Sequence, residues 1–366
     1  MEAVDDQALQ QQLSFALVAA NSNSDEERNP ATQFILEIKR SDPKKFAFML
    51  IIHMSNTNND PGSCALAAIL IYNILHQRTT EFQRKFNQEW VGTVNPEIRE
   101  TLRAAATSGL FSEYVTLSIQ CANLLGLFYA IEILYGNFKP QLAEMLDIAG
   151  NSDNVFFRRA SLLMFKRFQQ SCYDFNPNCY TSSSLKLITM SLFEVLKGGM
   201  SSDIPEIAHA SIDTLMNPLQ FYERIIYFPV LMENLMEIDF NFIQCPDDTI
   251  ALDGFSLTRK MIELYPDLIE SYLQTLLQIV QEALIEGSEI RKIAACSLLQ
   301  AIGDVESQNS ENSDQYISKN HHSNFQPLNG YSAQILEVLF EPLITMMCDC
   351  PIEDTDAKFS LDKTSQ

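Results

Sequence analysis

Histidines, cysteines and glycines are the residues that would carry acid–base chemistry, metal binding or a nucleotide cradle, and their spacing supports none of these. Of the five histidines, His53, His76 and His209 stand apart, and only His321 and His322 are adjacent, inside a polar stretch. A structural zinc site needs further ligands at set spacing, which that pair lacks. The eight cysteines, at 64, 121, 172, 179, 245, 296, 348 and 350, form no CxxC pair and lie mostly in apolar segments. Thiols in such surroundings stay protonated and inert, and Cys348 with Cys350 is a weaker ligand pair than the histidines. Neither GxxxxGKS, GxxxxGKT nor GxGxxG occurs, and glycines stand singly apart from Gly198-Gly199, so no loop is built to cradle phosphate. The expectation is a protein without catalytic residues, metal or cofactor.

Binding is what the remaining chemistry favours. Lys and Arg number 25 against 47 Asp and Glu, a net charge of −22, which repels nucleic acid and anionic lipid and attracts basic proteins. One run interleaves aromatics with bases, from Phe156-Phe157-Arg158-Arg159 to Phe165-Lys166-Arg167-Phe168. Stacking on RNA is one use of such a run. The helical spacing of Phe157, Leu162, Phe165 and Phe168 within an acidic chain favours core packing with a local basic edge. Neither RNA nor membrane is expected as a partner.

The elements that would position these residues are helices. Gly and Pro total about 7% of the chain, where average usage is about 12%, too few for a fold rich in tight turns. Apolar residues recur at helical spacing, as in Leu9, Leu13, Ala16, Leu17 and Ala20, or Leu268, Tyr272, Leu276, Ile279, Val280 and Leu284. Breaks such as SDP at 41 to 43, NTNNDPGS at 56 to 63, GNSDN at 150 to 154 and CPDD at 245 to 248 cut the chain into helices. These pair, an aliphatic first helix with a second helix carrying small residues, and each pair advances about 40 residues, the period of HEAT and armadillo arrays. The alternative is an irregular all-helical globule.

The predicted repeats run near 5–40, 43–77, 80–133, 137–170, 182–216, 220–265, 267–303 and 331–348. The third is stretched, because Thr80 to Val91 and Pro96 to Ser108 both read as helical before Glu113 to Ile133. Residues 304–330 read as a polar inter-helix loop, and 349–366 as an acidic tail of an incomplete eighth repeat. The acidic start lacks a signal-peptide pattern and the unpaired cysteines fit a reducing compartment. Apolar runs such as Ala65 to Ile71 are expected to be too short to span a bilayer.

Several segments in order carry a resemblance: NPATQFILEIKRSDPKKFAFML at 29 to 50, ALAAILIYNIL at 65 to 75, FNQEW at 86 to 90, PEIRETLRAAA at 96 to 106, EILYGNFKPQLAEML at 132 to 146, IQCPDDTIALDGFSLTRKMIELY at 243 to 265, and 269 to 307. Together they resemble the N-terminal half of the importin-β (karyopherin-β) nuclear transport receptors. The resemblance implies an all-α, right-handed superhelical HEAT solenoid of about seven to eight helical pairs, with no enzymatic activity. It implies binding of the small GTPase Ran in its GTP form on inner second helices, and of Phe-Gly nucleoporins between outer first helices. Importin-α or basic cargo would be further partners, and cytoplasm, nucleus and nuclear pore the locations.

Carried over by position, Ile71, Tyr72 and Asn73 would meet the GTPase, with Tyr72 standing where the family has Lys. The acids Asp304, Glu306, Asp354 and Asp356 would steer its basic surface, with Glu311 and Asp314 beside them. Phe193, Leu196, Leu231 and Leu235 would line a nucleoporin slot, although the same residue types would equally face the core. Lys197 stands where the family offers an aliphatic, and Leu231 replaces an acid. Arg291 and Lys292 lie in the seventh second helix, where the family pattern has more acid.

Overall fold

Helices start where the sequence supplies their caps. The computed structural model describes residues 2–76, 80–134, 140–176 and 183–311. Among them the regular structure is helical: α1 (Glu2–Ala19), α2 (Asp25–Ser41), α3 (Pro43–Ser55), α4 (Pro61–Leu75), α5 (Thr80–Thr93), α6 (Pro96–Leu110), α7 (Val115–Leu134), α8 (Pro140–Asn151), α9 (Val155–Phe175), α10 (Ser183–Met200), α11 (Pro205–Met216), α12 (Glu223–Ile226), α13 (Pro229–Gln244), α14 (Asp248–Leu264), α15 (Pro266–Ile269), α16 (Leu273–Glu286) and α17 (Glu289–Glu311). Asp42, Asp60 and Asn95 each accept from backbone N–H groups of the first turn that follows, and each precedes a proline at the first helical position. An acceptor side chain then satisfies a free N–H, and the proline forfeits no helical bond there. Asn154 and Asp247 cap α9 and α14 in the same way. The breaks read from sequence are thus helix starts as well as stops.

The expected single array divides by its contacts into two compact units, residues 1–233 and 234–366, with the boundary inside α13. An array in which each repeat touches only its neighbours has no common core to prevent such a division. In the first unit α3 packs on α4, α6 on α7, α8 on α9 and α10 on α11. Second helices also pack in series, α4 on α7, α7 on α9 and α9 on α11, and first helices likewise, α3 on α6 and α8 on α10. Two layers result. The stretched third repeat is present as α5, α6 and α7, and α5 packs on α7 and α9. Its buried face is Gln83, Asn87 and Trp90, and Gln83 donates to the Leu75 carbonyl at 2.8 Å and to Asn87 Oδ1 at 2.7 Å.

Between α4, α6 and α9, helix α7 is enclosed, and every residue from Leu124 to Ile133 is buried. It is apolar on all sides, as a helix without a solvent face must be. By length and composition it reaches membrane-spanning size, which corrects the expectation that no apolar stretch does; 78% of its most apolar window lies inside the protein. Its one charge, Glu132, accepts from Arg99 Nη1 of α6 at 2.6 and 2.8 Å. Both groups are buried, so each carboxylate–guanidinium contact compensates a desolvated charge.

At the other end of the unit, buried His53 joins α1, α3 and α4. Its Nδ1 lies 3.0 Å from Ser14 Oγ and accepts from Asn59 Nδ2 at 3.1 Å, while Nε2 lies 2.9 Å from Ser63 Oγ. Burial lowers its pKa, with the charge of Asp60 opposing. The neutral ring is the form that accepts from Asn59, since a proton on Nδ1 would face that N–H.

In the second unit α17 packs on α14 and on α16. Fully buried Asp239 meets Thr258 Oγ1, and burial raises its carboxyl pKa well above the usual range, Thr258 opposing. Helix α17 continues through Glu311, where a loop was expected from 304. Ala301, Ile302 and Val305 are buried and extend the apolar stripe of the helix past the predicted boundary, which the polar residues between them obscure in the sequence. The rest of the loop, the eighth first helix near 331–348, the tail, His321, His322, Cys348 and Cys350 lie outside the described residues.

Two outcomes follow from these buried groups. Arg99→Leu strands the Glu132 charge and is expected to cost about 3 kcal/mol, whereas Arg99→Leu with Glu132→Leu recovers most of that loss, both read by urea denaturation. Because the folded pKa of His53 lies below its unfolded value of about 6.5, its contribution holds above that pH and is lost as pH falls toward the folded pKa. Thermal melts of His53→Gln between pH 7 and 5 should therefore show a shallower fall than the parent chain.

Candidate functional site: the second-helix layer of the first unit

Side chains on the α4 segment Ile71-Tyr72-Asn73 fall into three environments. Ile71 is 2% exposed and packs in the core, Tyr72 is half-buried, and Asn73 is exposed. A helix turning 100° per residue separates consecutive positions this way, so only Tyr72 and Asn73 offer side chains to a partner. Tyr72 stacks on His76, with ring centroids 5.5 Å apart and planes 11° from parallel. Over its other side lies Arg167 of α9, with the guanidinium carbon 5.1 Å from the ring centroid and Nη2 donating to the Tyr72 hydroxyl. The cation meets the ring quadrupole and the phenol oxygen together.

Arg167 reaches α4 across the intervening α7, which requires α7 and α9 to lie close. Gly126 supplies the closeness: a Cβ built there would stand 2.6 Å from the Met164 carbonyl oxygen, 2.7 Å from the Phe168 nitrogen and 2.8 Å from Arg167 Cβ. No side chain fits, so the two backbones touch. Burial lowers the pKa of Arg167, with the charge of Asp174 opposing, and the group stays cationic. The sequence reading missed Arg167 as a site residue. Its signal was the Phe156 to Phe168 run, whose core reading fits the burial of Leu162, Phe165 and Phe168, while the basic edge faces α4 and solvent.

Charge on this layer departs from the average of the chain. Helix α4 has no charged residue, and the single charge of α7 is Glu132. Helix α9 carries Arg158, Arg159, Lys166 and Arg167 against Asp174. A groove of about 310 Å³ runs between α7, α9 and α11, lined among others by Val115, Ile119, Phe156 and Leu163. At its side Lys166 pairs with Asp213 at 2.7 Å, and Arg159 is exposed. The acidity that predicted basic partners is therefore carried elsewhere than on these second helices.

The remaining predicted residues are placed as follows. Asp304 is exposed and Glu306 half-exposed on α17 of the second unit, both helical where a loop was expected. Asp354 and Asp356 lie outside the described residues, as do Glu337 and Asp314. Arg291 is committed locally: it donates to Asp248 Oδ1 at 2.6 Å and to the Cys245 carbonyl, and that bond, ahead of one from Ser288, lowers the Asp248 pKa. Of the two orientations open to the slot residues, Phe193, Leu196 and Leu235 take the core one, and Leu231 alone is half-exposed. Phe193 packs on buried Tyr222 at 5.8 Å, so this aromatic closes the interior instead of lining an open slot. Lys197 pairs with Glu194 of its own helix at 2.7 Å.

No family model matches the chain. Importin subunit beta-1 of Saccharomyces cerevisiae is 23% identical over 210 residues, which is 57% of this chain and 24% of that protein. Among solved structures, a Kap95:Nup1 complex superposes with a TM-score of 0.80 at 17% identity, covering 96% of this chain and 40% of the matched one. Yeast importin-beta (Kap95p) gives 0.78 at 17% identity over 95% and 39%, and Kap121p bound to RanGTP gives 0.64 at 15% identity over 98% and 31%. The chain thus spans between a quarter and two-fifths of the length of these relatives. With helical pairs stacked in two layers, an importin-β sequence match and superposition along nearly its whole length, this chain has the HEAT-repeat fold of the importin-β (karyopherin-β) proteins.

Proposed function

We propose that the chain is the Ran- and nucleoporin-binding portion of a nuclear transport receptor, working between cytoplasm and nucleus as a binding protein rather than an enzyme. The observation that carries this reading is the Tyr72–Arg167 contact. The family pattern has a Lys where Tyr72 stands, and the structure brings a cation back to that place from α9. A cationic, partly aromatic patch next to exposed Asn73 then stands on the second-helix face that the resemblance assigns to the GTPase. The relatives support the partners: one matched structure holds Kap121p with RanGTP and another Kap95 with Nup1.

Mechanistically, Ran in its GTP form would bind one arrangement of the helical layers better than others. Any ligand favouring another arrangement would be released by the same coupling free energy. Asp304 and Glu306 on α17, with Asp354 and Asp356, would add long-range attraction for a basic surface, and this part should weaken with salt. Importin-α or basic cargo would be bound as further partners. The nearly uncharged α4 and α7 imply that contact at Tyr72 and Asn73 depends on shape and hydrogen bonding more than on net charge.

Titration of the chain with Ran loaded with a non-hydrolysable GTP analogue, and in parallel with GDP, tests this. The GTP form should bind at least about tenfold more tightly, and Asn73→Arg should weaken it about tenfold with an unchanged melting temperature, because Asn73 is exposed. Equal and salt-sensitive binding to both forms would overturn the reading and leave a HEAT scaffold for other basic segments.

A further inference from the structure

Two neighbouring first helices, α1 and α3, present large apolar side chains to solvent side by side. Phe15 is 76% exposed, Val18 48%, Phe48 43% and Ile52 40%. Their relation follows from two hydrogen bonds. Gln10 Nε2 donates to the Met49 carbonyl at 3.0 Å, and Ser14 Oγ lies 3.0 Å from His53 Nδ1. Gln10 and Ser14 are one turn apart, as are Met49 and His53, so α1 and α3 run parallel with a constant offset of 39 residues.

Side-chain directions around each helix can be read from that contact line. On α1 the buried Leu13 and Leu17 lie to one side of Gln10 and Ser14; rotating the other way leads to Val18, Gln11 and Phe15. On α3 the buried Phe46 and Leu50 lie to one side of Met49 and His53, and the other way leads to Lys45, Ile52 and Phe48. The two exposed sets therefore form facing walls of an outer groove between the helices. In the common register Ile52 is level with Leu13 and Phe48 with Leu9, so the apolar residues of the two walls are staggered along the groove.

The walls select their occupant by charge. They contain no acid, and Lys45 is their single charged residue. A basic segment would find nothing to pair with there. A second copy of the chain would bring a net charge of −22 against the same charge, which opposes self-association. What such a groove accommodates is an uncharged segment whose bulky apolar side chains enter one at a time between the helices, since exposed apolar surface of this extent is stabilised by covering it.

We propose that the α1–α3 groove is a docking site for uncharged, phenylalanine-bearing segments. Identifying these with Phe-Gly repeats of pore proteins rests on the transport-receptor reading. It moves the open site from the fifth and sixth repeats, where Phe193, Leu196 and Leu235 are packed inside, to the first and second, where the aromatics face out.

The test uses the full chain and a fluorescent synthetic peptide of four Phe-Gly units joined by Ser/Asn spacers, the repetition raising a weak affinity into range. Anisotropy titration should show binding that Phe15→Ser with Phe48→Ser weakens at least about tenfold. Leu187→Ser, on an exposed residue of α10, should leave it unchanged, as should raising salt from about 50 to 500 mM. All substituted residues are exposed, so equal thermal melts establish that the fold is kept. Binding that survives the double substitution overturns this site and leaves the transport reading standing. Failure of the parent chain to bind the peptide while it still discriminates Ran-GTP overturns the proposal also, and a loss of both removes the transport reading itself. A concentration-dependent dimer in sedimentation that the double substitution abolishes would assign the groove to a second copy and overturn the proposal.

Discussion

Helix α7 has no side that can face water along its second half, and the first unit is arranged around that constraint. Ten consecutive residues, Leu124 to Ile133, are buried, so α4, α6 and α9 must all be present for any one of them to be satisfied. Where one neighbour has to come nearer than side chains allow, the chain has Gly126. Where one residue has to be charged, it has Arg99 on the adjoining helix. A helix apolar all round would be a liability in isolation; within two layers it becomes the strut against which the neighbouring repeats are aligned.

That strut also sets what the second-helix layer can offer. Because α4 and α7 give their apolar surface to each other, few of their side chains are left outside, and these are uncharged. Polar character on the layer comes instead from α9, whose bases reach outward over α7 or pair with Asp213 of α11. A net charge of −22 is thus a poor description of this particular face, although it remains a fair description of the field that a distant partner meets. Long-range attraction and short-range recognition are supplied by different parts of the chain.

The helices, their pairing and the stretched third repeat were legible because caps and apolar periodicity are local signals: Asp42-Pro43, Asp60-Pro61 and Asn95-Pro96 announce their helices within a few residues. The length of α17 was misread because a polar run follows Ala301 and Ile302 and hides the continuing stripe at Val305. Site residues were harder, since they depend on contacts between repeats. Nothing near Tyr72 in the sequence points to Arg167, which lies 95 residues away. The orientation of Phe193 was open for another reason: a lone aromatic at helical spacing suits a core and a slot equally, and only the position of Tyr222 decides between them. The division into two units has no local signature, because it reflects contacts that are sparse rather than residues that are unusual.

The reach of Arg167 over α7 has a consequence for how the array comes apart. A stack of repeats is usually treated as a one-dimensional chain of spins coupled only to nearest neighbours, in which the ends fray one repeat at a time. A bond from α9 to α4 is a second-neighbour coupling, and it penalises every state in which one of these helices is ordered and the other is not. With Gly126 locking α7 to α9 between them, the second to fourth repeats form a cooperative block. In hydrogen exchange such a block opens as one unit, so its amides share a common opening free energy instead of grading from the edge inward.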